Sequence, residues 1–106
     1  MEALIASRPE LGEPLVAGLP YVKAEAIHAV RSEMARTVDD VLSRRTRARL
    51  LDRRAAAEAA DAVARLIGEE LGWDGVLMAA SAEEFKLSVA HELASEHAAA
   101  LDGIGT

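Results

Sequence analysis

Hydrophobic side chains recur at three- and four-residue spacing through most of the chain after residue 22, and this spacing predicts amphipathic helices. In the first such segment, one face carries Ala24, Ile27, Val30, Arg31 and Met34. The strongest segment covers residues 53–71, with a face made of Ala56, Ala60, Val63, Ala64, Ile67 and Leu71. A last helix would turn inward Phe85, Val89, Leu93, Ala94 and Leu101. We therefore expect an all-α fold, a single small bundle of four to five helices.

Polar residues predict where a short helix begins in the middle of the chain. Thr37 is suited to the N-cap position, because its hydroxyl can accept a hydrogen bond from a free amide of the first turn. Asp39 and Asp40 would follow in that turn, where carboxylates complement the positive end of the helix dipole. The helix would carry Val41 and Leu42 into the core.

Glycines and capping residues mark the boundary between the last two helices. Gly72 lies where a left-handed C-terminal cap is expected. Gly68, inside the helical pattern, costs about 1 kcal/mol relative to alanine and is expected to weaken the last turn. Trp73 would fold back over the bundle. The last helix is predicted to begin at Asp74 or at Ser81, where the sequence fits a capping box, and the final residues 102–106 are expected to fray.

The first 22 residues differ from the rest because they contain all three prolines. Residues 1–8 are predicted to end a helix at Pro9, since the residue before a proline disfavours the α conformation. Residues 9–22 would form an extended, proline-rich connection along the domain, with the anchors Leu11, Leu15, Val16 and Leu19. A linker between domains is the alternative, although flexible linkers are usually polar.

Composition narrows the class of protein. Apolar residues make up 51% of the 106 residues but aromatic residues only 3%, and the abundant alanines favour closely packed helices. The absence of cysteine excludes disulfides and thiolate sites. No apolar run approaches the roughly 20 residues that a membrane-spanning helix needs. The N-terminus does not have the pattern of a secretory signal, so we expect a cytoplasmic protein.

Motifs that carry chemistry are weak in this chain. His91 and His97 do not share a helical face and are interpreted as surface residues, whereas His28 is expected to be a partly buried structural histidine. The seven glycines form no dinucleotide- or phosphate-binding loop. We therefore predict no catalytic, cofactor-binding or metal-binding residue.

The distribution of charge is uneven. Six of the ten arginines lie within residues 44–54, although the net charge of the chain is −6. Residues 31–65 carry a net charge of +3, and residues 66–106 carry −7. A nucleic-acid-binding module normally has a net basic field and a recognisable reading element, so nucleic acid is not an expected partner. A solvated helix face and a docking surface for another protein domain are the remaining interpretations of the arginines.

Several motifs occur in an order that is characteristic of one enzyme family. They are Tyr21 with Ala24-Glu25, the run from Glu33-Met34-Ala35 to Thr37, "DDVLSRRT" at residues 39–46 and "LGW" at residues 71–73. In these motifs the chain resembles the C-terminal domain of aerobic, FAD-dependent glycerol-3-phosphate dehydrogenase. The similarity runs from about residue 8 to Asp74, and more loosely through the last helix.

The resemblance implies a parent enzyme that oxidises sn-glycerol 3-phosphate to dihydroxyacetone phosphate and passes electrons through FAD to quinone. That enzyme would lie peripherally on the inner face of the cytoplasmic membrane. Its N-terminal body, which is the implied partner of this chain, would bind FAD and substrate. Residues 1–106 would then be a C-terminal helical accessory domain, a fragment of a larger flavoenzyme that is inactive and binds no FAD by itself.

The resemblance also implies where the two parts meet. Arg44, Arg45 and Thr46 would make charge-assisted contacts with carboxylates and carbonyls of the flavin-binding body. An intradomain role is the alternative, in which the two arginines pair with Asp39, Asp40 or a helix C-terminus. The other arginines of the stretch are expected to be solvated or neutralised by acidic residues of the last helix: Arg47, Arg49, Arg53 and Arg54.

A second class of function stays open beside the enzyme domain. The chain could be a stand-alone helical protein-interaction module that forms a homo-oligomer. The apolar face around Trp73 and Phe85 would then be the surface of self-association.

Overall fold

The computed structural model describes the backbone of residues 2–104 and the side chains of residues 3–96. In this part of the chain the α-helices are α1 (Glu2–Ser7), α2 (Ala24–Glu33), α3 (Ala48–Leu51), α4 (Arg53–Leu71) and α5 (Gly75–Ile104). A 3₁₀ turn covers Pro9–Gly12, and a π-helical turn covers Asp40–Arg45. The prediction of a small all-α bundle with four to five helices is confirmed.

The proline-rich segment packs against the bundle. Helix α1 ends before Pro9, as predicted, and Pro9 begins the 3₁₀ turn. The chain then doubles back through Gly18, which has a φ of +81°, and the amide of Leu15 donates to the carbonyl of Tyr21 at 2.8 Å. The predicted anchors Leu11, Leu15 and Val16 are buried, and Leu19 is half-buried against the core. The segment is therefore part of the domain.

Helix α2 ends earlier than the hydrophobic pattern predicted. Met34 adopts a left-handed conformation with φ 62°, and its amide donates to the carbonyl of Ala29 to close the helix. The side chain of Met34 is consequently 76% exposed, and Ala35 takes the buried position after it. The prediction that Met34 faces inward was wrong, because a left-handed residue no longer follows the face of its helix.

A reciprocal capping box opens the π-helical turn. The amide of Asp40 donates to Thr37 Oγ1 at 3.0 Å, and the amide of Thr37 donates to Asp40 Oδ2 at 3.2 Å, which confirms Thr37 as the cap. The amide of Thr46 then donates to the carbonyl of Val41, five residues earlier, at 3.0 Å. Val41 and Leu42 are buried as predicted. A π-helical turn joins residues five apart, whereas an α-helical turn joins residues four apart, so this turn contains one more residue than an α-helical turn.

Helix α4 supplies the centre of the core. At its start the carboxylate of Asp52 accepts from the amide of Ala55 at 3.1 Å, and at its end Gly72 adopts the predicted left-handed cap with φ 76°. Its buried positions are Ala56, Ala59, Ala60, Val63, Ala64, Ile67 and Gly68, while the predicted Leu71 is half-buried. The small side chains let neighbouring helices approach closely.

Gly68 lies where α4 packs closely against the start of α5. A Cβ atom at this position would lie 2.7 Å from Met78 Cγ and 3.2 Å from Trp73 Cε3. These distances are shorter than the ordinary contact distance between carbon atoms. Trp73 packs half-buried on the core, as predicted.

Helix α5 begins at the first of its two predicted starts. The amide of Leu77 donates to Asp74 Oδ1 at 2.8 Å, whereas Ser81 lies inside the helix. The start at Ser81 with a capping box was therefore wrong, because Asp74 already caps the helix about two turns earlier. No helix in the described part of the chain is both long and apolar enough to cross a membrane.

The inward face of α5 agrees with the prediction in part. Phe85 and Val89 are buried, and Leu93 packs half-buried against the core. Ala94 is exposed; its predicted burial was wrong, because a position five residues after Val89 is rotated away from the inward face. The side chain of Leu101 lies outside the described residues. The helix continues to Ile104, and the rest of the predicted frayed tail lies outside the described residues.

Candidate docking surface at the arginine-rich bend

Residues 44–54, which we call the arginine-rich bend, run from the π-helical turn through α3 to the start of α4. Their six arginines divide into two sets. The inward arginines, which pair with other elements of the domain, are Arg45, Arg49 and Arg53. The outward arginines, whose side chains are exposed, are Arg44, Arg47 and Arg54.

Arg45 ties the bend to α2. One of its terminal nitrogens donates to Glu33 Oε2 at 2.8 Å, and the other lies 3.7 Å from Glu25 Oε1. Its Nε is buried and has no hydrogen-bond partner among the described residues. An open cavity of about 290 Å³ lies beside it, lined in part by Met34 and Arg44.

Arg49 lies between the π-helical turn and α5. Its guanidinium donates to Asp39 Oδ1, Ser88 Oγ and Glu92 Oε1, each at 2.7 Å. The guanidinium carbon also lies 5.3 Å from the centroid of the Phe85 ring, within the range of a cation–π contact. Burial lowers the pKa of Arg49, but hydrogen bonds to the two carboxylates outweigh it and raise that pKa above its ordinary value.

Arg53 makes the next contact along α5. Its guanidinium pairs with both carboxylate oxygens of Glu96 and lies 3.3 Å from Glu92 Oε2. The hydrogen bond from Arg53 lowers the pKa of the Glu96 carboxyl below its usual value. The prediction that acidic residues of the last helix neutralise arginines of the bend is thus confirmed for Arg49 and Arg53.

The three residues predicted to contact another domain, Arg44, Arg45 and Thr46, differ in how far they are exposed. The side chain of Arg44 is 85% exposed and lies 3.9 Å from Asp40 Oδ1, a contact that the intradomain alternative had foreseen. Thr46 is fully buried; its hydroxyl donates to the carbonyl of Val41 at 3.0 Å and accepts from the amide of Ala48 at 3.3 Å. Since Arg45 pairs inside the domain, Arg44 is the member of the trio whose side chain reaches the surface. A contact with another domain stays a prediction.

Sequence reasoning missed two exposed hydrophobic side chains in the bend. Leu50 is 79% exposed and Leu51 is 58% exposed, while Ala48 is the buried residue of α3. No hydrophobic periodicity in the sequence indicated this exposure, because a helix of four residues is too short to define an inward and an outward face. Leu50 lines an open cavity of about 550 Å³, together with Ser43, Arg49, Arg53, Glu92 and Glu96.

The described residues do not fit FAD. A dinucleotide cradle needs glycines between a strand and a helix, so that the pyrophosphate can approach the backbone. Here Gly68 faces Met78 inside the core, and Gly72 caps α4. No strand element lies within residues 2–104, and we therefore derive no step of a reaction through FAD on these residues.

The histidines follow the sequence interpretation as far as they are described. His91 is exposed and His28 is half-buried, while the side chain of His97 lies outside the described residues. Among the side chains that the structure describes, no group of three or more histidine, cysteine, aspartate or glutamate residues could hold a metal ion. We assign no metal site.

Residues 1–76 match a protein family described as the C-terminal domain of alpha-glycerophosphate oxidase. The chain belongs to this family. The mitochondrial glycerol-3-phosphate dehydrogenase of Bos taurus is 42% identical over 66 residues, which are 62% of this chain and 9% of the relative. That of Mesocricetus auratus is 35% identical over 88 residues, which are 83% of this chain and 12% of the relative.

A cyanobacterial relative gives a similar match. The glycerol-3-phosphate dehydrogenase of Synechocystis sp. is 34% identical over 71 residues, which are 67% of this chain and 13% of the relative. The chain thus spans only 9–13% of the length of these three proteins. No solved structure matches the chain.

The family match covers the domain only up to the start of α5. The match ends at residue 76, one residue after α5 begins, and it includes α1–α4 and the whole arginine-rich bend. The resemblance that the sequence motifs indicated is confirmed.

Proposed function

We propose that this domain is the accessory C-terminal part of an enzyme that oxidises sn-glycerol 3-phosphate to dihydroxyacetone phosphate. The observation that carries the proposal is the family match over residues 1–76. FAD, held by a large N-terminal body of the same polypeptide, would accept a hydride from the substrate. Electrons would then pass to quinone, which requires the parent enzyme to lie peripherally on a membrane, in our proposal the inner face of the cytoplasmic membrane.

In this proposal residues 1–106 form one domain with a bracing role and no catalytic residue. The inward arginines fasten the bend to α2 and α5, so that the outward side of the bend is held in one position. A braced surface of this kind loses little conformational freedom when it docks. The domain alone is therefore expected to be inactive and to bind no FAD.

The test is a chimera in which residues 1–106 replace the matching C-terminal segment of the Synechocystis enzyme. We expect substrate-dependent dye reduction within about tenfold of the parent enzyme, which corresponds to ~1.4 kcal/mol in the barrier. Deletion of the segment should abolish activity, and so should the chimera carrying Ile67→Asp, because Ile67 is fully buried in the core. An inactive chimera whose C-terminal domain is folded would contradict the proposal, as would stoichiometric FAD uptake by the isolated chain.

A stand-alone interaction module is the second candidate function. The exposed hydrophobic residues Val76, Leu77 and Leu87 of α5 favour it. The face foreseen for self-association is not available, however, because Phe85 is buried and Trp73 packs on the core. Sedimentation of the isolated chain decides this candidate: a concentration-dependent oligomer would support it, and a monomer would count against it.

A further inference from the structure

The backbone holds Leu50 and Leu51 away from the core. Their amides both donate to the carbonyl of Arg47 at 3.0 Å, and the amide of Asp52 donates to the carbonyl of Ala48 at 2.8 Å. Arg47 itself has a left-handed conformation with φ 57°. The two leucines are thus presented on a hydrogen-bonded turn, next to buried Ala48, and their exposure is a property of the fold.

The two leucines lie in a bend that also exposes cations, while the carboxylates near Leu50, those of Glu92 and Glu96, are already paired with Arg49 and Arg53. Arg44, Arg47 and Arg54 are exposed along the same bend, and of these only Arg44 has an ion pair among the described side chains, at 3.9 Å. Exposed apolar residues with a polar rim are typical of interaction sites. The rim here would favour an acidic partner surface.

We propose that Leu50 and Leu51 are the apolar anchor of a docking surface that the remainder of the parent polypeptide covers. The partner surface is an apolar depression rimmed by carboxylates, which would pair with the outward arginines. This inference rests on the proposed function. The chain spans only 9–13% of its relatives' length, so a much larger body is expected to be available beside it.

Two other occupants fit the surface less well. A second copy would bring the outward arginines of both chains together around the two-fold axis, and like charges would repel each other. A membrane surface is usually bound by a long amphipathic helix, whereas α3 has four residues. The body of the same polypeptide meets neither difficulty.

Thiol labelling tests the docking surface directly, because the chain contains no cysteine of its own. Leu51→Cys is labelled with a thiol reagent in the isolated chain and in the Synechocystis chimera, and mass spectrometry of the peptide gives the rate. We expect labelling at position 51 to be slower in the chimera by about tenfold or more, since the core of an interface excludes solvent. Leu87→Cys is the matched control, because Leu87 is 61% exposed and lies on α5, outside the bend. Its rate should be the same in both proteins.

Hydrogen exchange of the wild-type chain is the second measurement, in case the new thiol weakens docking. The amides of residues 47–52 should exchange more slowly in the chimera than in the isolated chain. An active chimera with equal labelling and equal exchange overturns the docking surface and leaves the proposed function intact. An inactive chimera with a folded domain overturns both. If protection in the isolated chain rises with its concentration, the surface binds a second copy. If protection rises with added phosphatidylglycerol vesicles, the surface binds a membrane. Either result overturns the inference.

Discussion

Helices α4 and α5 are the two long helices of the described chain, and they are held in place by different forces. Helix α4 has 19 residues, buries seven of them and is capped at both ends. Helix α5 has 30 residues, and among its described side chains only Ala82, Phe85 and Val89 are buried. Ion pairs supplement these contacts. On α5, Glu92 pairs with Arg49 and Glu96 pairs with Arg53. Lys86 of α5 pairs with Asp61 of α4.

The comparison shows how one small domain uses two kinds of stabilisation. The family match contains α4 and ends where α5 begins. Burial of apolar surface, which defines α4, depends little on salt, whereas exposed ion pairs weaken as salt screens them. We infer that the α1–α4 unit sets the stability of the domain and that two of the inward arginines, Arg49 and Arg53, set the attachment of α5.

The largest effect is expected from a cavity in the core beneath α4. Ile67→Ala removes a fully buried side chain and should lower the free energy of unfolding by about 2–5 kcal/mol. Val76→Ala on α5 is the control, because Val76 is 80% exposed and surface substitutions usually stay within about 0.5 kcal/mol. Urea unfolding measures both. Equal effects of the two substitutions would contradict the difference between the helices.

The contact between the two helices is tested at Gly68. Gly68→Ala introduces a Cβ atom 2.7 Å from Met78 Cγ. The overpacking should destabilise the chain by about 1–3 kcal/mol. The higher helix propensity of alanine should offset up to ~1 kcal/mol of that loss. In a Met78→Ala background the clash with Met78 is absent, and the same substitution should be much less harmful. A double-mutant cycle by urea unfolding gives the coupling. If Gly68→Ala costs the same in both backgrounds, Met78 does not require the glycine.

The attachment of α5 is tested at Arg49, which bridges Asp39 and Glu92. Arg49→Ala should cost about 1–2 kcal/mol, since it removes charge-assisted hydrogen bonds and a cation–π contact. Arg49→Lys keeps the charge but loses the planar fork, so we expect an intermediate value. Heteronuclear NMR of the α5 amides would show the loss of packing there. A loss confined to α2 would contradict the assigned role.

The smallest effect is a dependence on pH at Glu96. The pKa of Glu96 is lower in the folded chain than the ordinary value of a glutamate, because Arg53 donates to the charged carboxylate. The stabilisation is therefore complete above the unfolded pKa and is lost as the pH falls through the folded pKa. Titration from neutral to acidic pH should loosen α5 near Glu96, and Glu96→Gln should remove that part of the pH dependence. An unchanged titration in the variant would contradict it.

The sequence predicted the long helices well because burial repeats along them at every turn. The sequence-based prediction failed where the conformation of a single residue sets the direction of the backbone. Nothing in the pattern around Met34 indicates a left-handed conformation in a residue type that rarely adopts it. At the bend, the π-helical turn adds a residue, which turns Arg45 toward α2 and encloses Thr46. Periodicity rules assume 3.6 residues per turn and could not foresee this rotation.

The most direct test compares the melting temperatures of two triple variants of the isolated chain. The inward set is Arg45→Gln, Arg49→Gln and Arg53→Gln, and the outward set is Arg44→Gln, Arg47→Gln and Arg54→Gln. Each set removes three charges from the same bend, so the change in net charge is matched. We predict a decrease of at least about 4–8 °C for the inward set, as expected for a loss of 1 kcal/mol or more, and almost none for the outward set. Equal melting temperatures, or a larger decrease for the outward set, would contradict the division of the bend into a bracing side and a docking side.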